Sequence, residues 1–348
     1  MSKPHAAAGR RWLEDWLQTI WRSQGPVSTL LLPLARLYGA VSRQRMAQQA
    51  RHAWRAPVPV IVIGNILVGG TGKTPVTQAV CQALLAHGHH PGLISRGYGS
   101  RIGTEPHLSD SHQDSNWLGD EPALLHAATG APVAVHPQRA LAARALLAAH
   151  PEIDVLIADD GLQHRALARD LEIIVQDSRG IGNGRLLPAG PLRELPARLT
   201  QANWLITHLA PHEANASLGS QPAGVAQITM RLQPDYLIQV STQTRLSWPD
   251  WQARFGHEIC HAAAGIGQPQ RFFQMLRHAG LTLGQTLASP DHQAPDPAQL
   301  RALPPGPILI TAKDAVKYTD PDDHRLWTVY PTPRFSDPNW LDALVRQI

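Results

Sequence analysis

Only two cysteines occur among the 348 residues, Cys81 and Cys260. They stand far apart and in no ligand spacing, which excludes a disulfide scaffold and a cysteine-based zinc site. Both read as small buried hydrophobes in a reducing compartment. The eighteen histidines read mostly as solvated surface residues. A membrane-spanning run is also lacking: the apolar stretch from Val27 to Ala40 covers about fourteen residues, against the ~20 that cross a bilayer. Pro33 and Arg36 interrupt it as well. No short basic start leads into an apolar core with a cleavage site, so no secretory signal is read. Internal repeats, low-complexity segments and disordered-tail composition are absent too. With 43% apolar residues, the length suits one large or two ordinary folded domains.

What is present begins with a charge asymmetry. Residues 1–55 hold nine basic side chains and two acidic ones, while the remainder holds 22 basic and 25 acidic, a net of −3. A body that gripped nucleic acid would carry the basic excess itself, so nucleic acid is not an expected partner. In the basic segment Trp12, Leu13, Trp16, Leu17, Ile20 and Trp21 recur at helical spacing. A tryptophan-rich amphipathic helix, a short apolar run and flanking arginines suit the plane of an anionic membrane interface. The expectation is a cytoplasmic protein with peripheral or monotopic attachment. The plainer alternative is a helix packed on the protein's own core.

After Arg55 the pattern alternates. Apolar strands are predicted at 59–64, 92–95, 132–135, 154–158, 171–176 and 204–208, with helices at 74–87, 119–129 and 139–150. Near-continuous apolar strands separated by helices imply a mostly parallel sheet covered on both faces. A loop-rich stretch at 211–224 precedes an extended segment, 225–240. A shorter α/β unit follows, with strands at 261–267, 308–312 and 326–329 and helices at 270–280 and 339–348. The expected organisation is a membrane-associated segment (1–55), a P-loop core (56–224) and linker strands with a smaller C-terminal lobe (225–348).

The first predicted strand empties into Val68-Gly69-Gly70-Thr71-Gly72-Lys73-Thr74-Pro75. Glycines that turn backbone N–H groups inward, followed by a helix N-terminus, build a phosphate-binding loop. Lys73 would supply a point charge to the β/γ-phosphates and Thr74 a hydroxyl to Mg²⁺. The strict pattern wants glycine where Leu67 stands. The strand Asp154–Ala158 ends in Asp159 and Asp160, and such acids hold the Mg²⁺ of P-loop enzymes. Gln163 and His164 follow at once and would project into the same region, or cap it. Asp120 and Glu121 open a predicted helix, where they also suit its dipole. Polar clusters further occur at Ser95–Arg101 (with Tyr98), at Pro188–Glu194 (with Arg193 beside Glu194), at Asp291-His292 and at Thr311–Lys317.

Taken in order, GNILVGGTGKTP, LISRGYGS, GDEPALL, VHPQRA, DVLIADDGLQH, LLPAGPLRE, AAGIGQPQRFF, DHQ and TAKDAVK resemble the tetraacyldisaccharide 4′-kinases of lipid A biosynthesis over most of the chain. That family does not keep the first glycine, so Leu67 is not anomalous there. Gln268 departs from the histidine a close relative might carry. The resemblance implies transfer of the γ-phosphate of ATP to the 4′-hydroxyl of an acylated glucosamine disaccharide 1-phosphate, giving lipid IVA, at the cytoplasmic side of the inner membrane. It implies Mg²⁺ near Thr74, Asp159, Asp160 and Glu121, and a base at Asp120 paired with His292 from the other lobe. It also implies Tyr98, Gln163, His164 and Arg193 near substrate. The spacing itself does not choose between Asp120 and Glu121.

Two other readings compete. A carrier- or partition-type ATPase places a signature lysine where Val68 stands. A regulatory GTPase reads guanine with Asn/Thr-Lys-x-Asp, whereas Lys313 and Asp314 are adjacent here.

Overall fold

The computed structural model describes residues 16–17, 19–21, 23–97, 103–110, 115–213, 224–290, 293–315, 318 and 323–348. Trp12, Leu13, Tyr98 and His292 therefore lie outside the described residues.

Apolar, β-branched-rich runs flanked by turn residues give the strands of the first half. These are β1 (Val60–Gly64), β2 (Pro91–Ser95), β3 (His107–Leu108), β4 (Val133–Val135), β5 (Val155–Asp159), β6 (Leu171–Asp177) and β7 (Trp204–His208). β1, β2, β5, β6 and β7 are buried along their whole length, as expected of a parallel sheet covered on both faces. The helix Lys73–Ala86 sends Val76, Val80, Cys81 and Leu84 into a core with Ile61, Ile63, Leu93 and Ile157. Opposite it, Ala142, Ala143 and Leu146 of the helix Arg139–Ala149 pack on Val60, Val62 and Ile94.

The second half contributes β8 (Ala226–Gln239), β9 (Arg245–Ser247), β10 (Cys260–Ala264), β11 (Leu283–Ala288), β12 (Ile308–Thr311) and β13 (Leu326–Phe335). All thirteen strands join one sheet, in the order β11-β10-β12-β13-β8-β7-β6-β1-β5-β2-β4-β3, with β9 on β8. β8 makes this continuity possible. Its first residues pair in parallel with β7, and from Met230 onward it pairs antiparallel with β13. The register slips between Tyr330 and Pro331, where the prolines of both strands face each other. The closing helix Trp340–Val345 returns to the first half, burying Trp340, Leu344 and Val345 in the same core as Val80 and Leu84.

β1 lies between β5 and β6, while the chain leaves it for β2 beyond β5. That is a topological switch point, and the loops after β1, β5 and β6 open there at the carboxyl ends of the strands.

The N-terminal run folds as two consecutive helices, Pro26–Leu30 and Leu32–Arg51. Small residues face inward: Ser28, Ala35 and Gly39 are buried. Ser28 Oγ donates to Ala189 O at 2.5 Å, and Asn183 Nδ2 donates to Ser28 Oγ at 3.1 Å. The large apolar residues Leu30, Leu34, Leu37 and Val41 face outward and are exposed.

Candidate functional site

The phosphate loop has the conformation that its glycines permit. Gly69 and Gly72 adopt φ of 100° and 91°, and Gly72 is the N-cap of the helix starting at Lys73. Asn65 Nδ2 spans the loop from within, donating to Gly69 O and Thr71 Oγ1, each at 3.2 Å. Leu67, at the missing glycine position, is fully buried against Leu186 and Leu192 and forms a β-bridge with Leu192. The loop is thus hinged on an apolar peg where the strict motif uses a flexible residue.

The carboxylates gather beside it. Lys73 Nζ is 3.4 Å from Asp160 Oδ1, and Arg193 approaches the same oxygen at 3.7 Å. Asp160 holds φ of 50°, a left-handed conformation uncommon for a non-glycine residue. The buried guanidinium of Arg139 supports it by donating to the Asp160 carbonyl at 3.4 Å. Burial pushes the Asp160 carboxyl up, but Lys73, then Arg193 and Arg139, outweigh it and hold it below the usual range. Asp159 goes the other way. Burial, then the neighbouring Glu121 and Asp160, push it up to about 7, against the pull of Lys73 and a 2.9 Å hydrogen bond from Thr77 Oγ1.

These residues fit a magnesium ion held mainly by phosphates and water. Asp160 Oδ1 is buried and accepts no hydrogen bond from the described residues, and Asp159 is raised by burial and by like charges, the latter of which a dication would offset. Among the described residues no group of three or more His, Cys, Asp or Glu could hold a metal ion by itself. Mg²⁺ ordinarily uses one or two carboxylates with substrate phosphates, not a full protein cage.

Gln163 sits at the base of the loop, donating to Asn65 O at 3.0 Å and to Glu194 Oε1 at 2.8 Å. Arg193 donates to its Oε1 at 3.5 Å. Burial, then the charges of Arg139 and Arg96, push His164 down to about 4, so it is neutral near pH 7. Asp120 begins the helix Asp120–Thr129, with Glu121 next to it.

Three contributions of the second half went unassigned in the sequence. Lys313, past the end of β12, reaches Glu121 Oε1 at 3.4 Å. Gln268 Nε2 lies 3.5 Å from Gly70 O, and Arg271 Nη2 lies 3.8 Å from Asp177 Oδ2 at the end of β6. The motifs TAKDAVK and IGQPQRFF signalled polar loops, but only the fold reveals which first-half residues they meet. The strand-end pair Asp177-x-Arg179 and the strand-end His208 carried no distinguishing pattern. Gln293 N donates to Pro290 O at 3.0 Å, and a Cβ on Gly265 would collide with Gln293 O, so Gln293 lies at the end of β10.

The family model described as tetraacyldisaccharide-1-P 4′-kinase (LpxK) matches residues 27–348. A tetraacyldisaccharide 4′-kinase of Bordetella petrii is 49% identical over 340 residues, 96% of each chain. That of Dechloromonas aromatica is 41% identical over 340 residues, 97% of this chain and 98% of its own. The crystal structure of an "apo" form of LpxK from Aquifex aeolicus in complex with ATP superposes with a TM-score of 0.73. It covers 92% of this chain and 98% of that one at 23% identity, a likeness of fold. Phosphate loop, paired strand-end acids and the ordered motifs belong together: the chain is a member of the tetraacyldisaccharide 4′-kinase family.

Proposed function

We propose that this protein transfers the γ-phosphoryl group of ATP to the 4′-hydroxyl of a tetraacylated glucosamine disaccharide 1-phosphate, yielding lipid IVA. The observation that carries the reading is the convergence of Lys73, Asp160 and Arg193 at the mouth of a glycine loop, within a chain of this family. In this reading residues 56–224 bind the nucleotide, 225–348 form the smaller half, and 1–55 attach to the membrane.

Phosphoryl transfer depends on positioning and charge neutralisation more than on covalent chemistry. Backbone N–H groups of Val68–Thr74 cradle the phosphates, ahead of Pro75, and Lys73 neutralises charge that builds on the transferred group. Thr74, Asp159, Asp160 and Glu121 are the residues that would hold Mg²⁺, which when bound spreads the negative charge between β- and γ-phosphates. Asp120 takes the proton of the attacking hydroxyl, oriented by His292 when the halves close, so that attack is coupled to exclusion of water. Arg193, His164 and Tyr98 line the acceptor side. Gln163 acts one step back, fixing Arg193 and the loop base.

The protein meets its acylated acceptor at the cytoplasmic face of an anionic membrane. The outward row Leu30, Leu34, Leu37 and Val41, with Arg36, Arg43 and Arg45 on the same helix, supports attachment in the interface plane. Among the described residues no helix is long and apolar enough to cross a bilayer. The GTPase alternative is not favoured: Asp314 is fully buried and accepts from Gly265 N at 3.0 Å, so it is not available to a guanine. The carrier-ATPase alternative loses to the family match over residues 27–348.

The test is phosphoryl transfer from labelled ATP to the tetraacyldisaccharide 1-phosphate in mixed micelles, wild type beside Lys73→Ala. Labelled lipid is expected from the wild type, and a loss of ~10²-fold or more from the variant. A folded, ATP-binding wild type that labels no lipid overturns the acceptor assignment.

A further inference from the structure

Asp177, the last residue of β6, is fully buried, and Arg179 encloses it. The Arg179 backbone N donates to Oδ1 at 3.0 Å, its Nε lies 2.9 and 3.0 Å from the two oxygens, and its guanidinium reaches Oδ2 at 2.8 Å. Burial would push the Asp177 carboxyl up, but Arg179 and then Arg271 hold it below the usual range, so it is an anion. Arg179 alone matches that charge.

Arg271, from the helix Pro269–His278 of the second half, is a second guanidinium on the same carboxylate. It is held loosely: 3.8 Å from Asp177 Oδ2, 3.3 Å from Ser178 Oγ and 3.3 Å from His208 Nδ1. His208 offers no charge, since burial and then Arg271 push it down to about 4. The Arg271 side chain is only 20% exposed. Among the described residues Arg271 has no carboxylate besides this shared one, and a largely desolvated cation so placed is costly unless an anion arrives.

The cluster lines the open edge of the phosphate loop. A Cβ on Gly69 would stand 3.8 Å from the Arg179 guanidinium, and one on Gly72 would stand 2.6 Å from His208 Nδ1. Gln268, three residues before Arg271, lies against Gly70 O. The cations on the other side of the loop, Lys73 and Arg193, both lie against Asp160. A nucleoside triphosphate in this loop carries more negative charge than that side neutralises.

We propose that Arg271 is a nucleotide-binding residue supplied by the second half, donating to the polyphosphate of the bound nucleotide while Arg179 keeps Asp177 neutralised. The proposal rests on the reading of Val68–Thr74 as the ATP site. It makes nucleotide binding a contact of both halves of the sheet, and it gives Arg271 a preference for longer phosphate chains.

Calorimetric titration of the full-length protein with ATP, ADP and AMP tests it, comparing wild type with R271Q. The expected result is a weakening of ATP binding by about tenfold or more, the scale of one charge-assisted hydrogen bond, a smaller effect on ADP, and AMP binding within about twofold. In the lipid kinase assay the KM for ATP rises while that for lipid stays. A folded R271Q that binds ATP like the wild type overturns the proposal and leaves the kinase reading standing. A wild type that binds no ATP overturns both. A wild type that binds ATP but phosphorylates no lipid overturns only the acceptor. Should R271Q fold poorly, an arginine-modifying dicarbonyl on the wild type, mapped by peptide mass spectrometry, decides. ATP protects Arg271 more than AMP does, and equal labelling with both overturns the proposal.

Discussion

Lys313 Nζ stands 3.4 Å from Glu121 Oε1, so the end of β12 touches the helix that carries Asp120. Glu121 is 41% exposed, and an ion pair of this kind contributes little to stability. Its consequence is positional, because it links the acids of the first half to the strand ends of the second. Lys313→Met should therefore lower kcat about tenfold while moving the melting temperature by no more than ~2 °C. Steady-state assays beside thermal melts check this. A normal kcat would reduce the contact to a surface ion pair.

Leu67 makes a prediction against motif logic. Leu67→Gly brings the loop closer to the strict Walker pattern, yet it empties a fully buried site against Leu186 and Leu192. The cavity and the added backbone freedom should cost about 3 kcal/mol or more. Denaturant titration is expected to show that loss, together with weaker ATP binding. A variant as stable as the wild type would mean that the loop is not anchored through this residue.

Much of this architecture was legible in the residues because buried parallel strands write long apolar runs. β1, β2, β5, β6 and β7 fall within a residue or two of the predicted bounds. β11 escaped because it is an edge strand of mixed exposure built from Leu283, Gly284, Gln285 and Thr286 among others. The helix Leu32–Arg51 escaped because its apolar run breaks at Pro33, which is harmless in a first turn. The phosphate loop and the strand-end acids were readable from local order alone. Lys313, Arg271 and His208 were not, since their contacts join the two halves of the sheet on either side of the β8–β13 pairing, and contact at such sequence separation leaves no spacing to read.

One buried histidine, His208, and one half-buried, His164, set an acid limit on stability. Burial, followed by neighbouring arginines, puts His164 and His208 at about 4, below the ordinary 6.5. Between those values the unfolded chain binds protons that the folded chain refuses, so stability is fully present above pH 6.5 and falls as pH drops toward 4. His208→Gln should flatten that fall by an amount on the order of 1–3 kcal/mol. Urea titrations at pH 7.5 and 5 are the measurement. An unchanged pH slope would mean that His208 is accessible enough to protonate in the folded protein.

The membrane prediction follows from which side of the N-terminal helix pair is large. Its inner face is Ser28, Ala35 and Gly39, and Tyr38 Oη reaches the Arg193 carbonyl at 3.4 Å, so this segment is fastened directly to a loop of the candidate site. Its outer face is leucine, with Leu30 at 80% and Leu37 at 61% exposure. A helix stabilised only by its own protein would place those residues the other way round. Burial of two leucine side chains in the headgroup boundary is worth about 3 kcal/mol, or roughly a hundredfold in partitioning. Leu34→Asp with Leu37→Asp should cut co-sedimentation with anionic vesicles by about that factor and raise the KM for vesicle-borne lipid. ATP affinity and melting temperature should hold, because neither residue touches the inner face. A double variant that binds vesicles as well as the wild type would shift attachment to the tryptophan stretch before residue 22, and the leucine row would need another occupant.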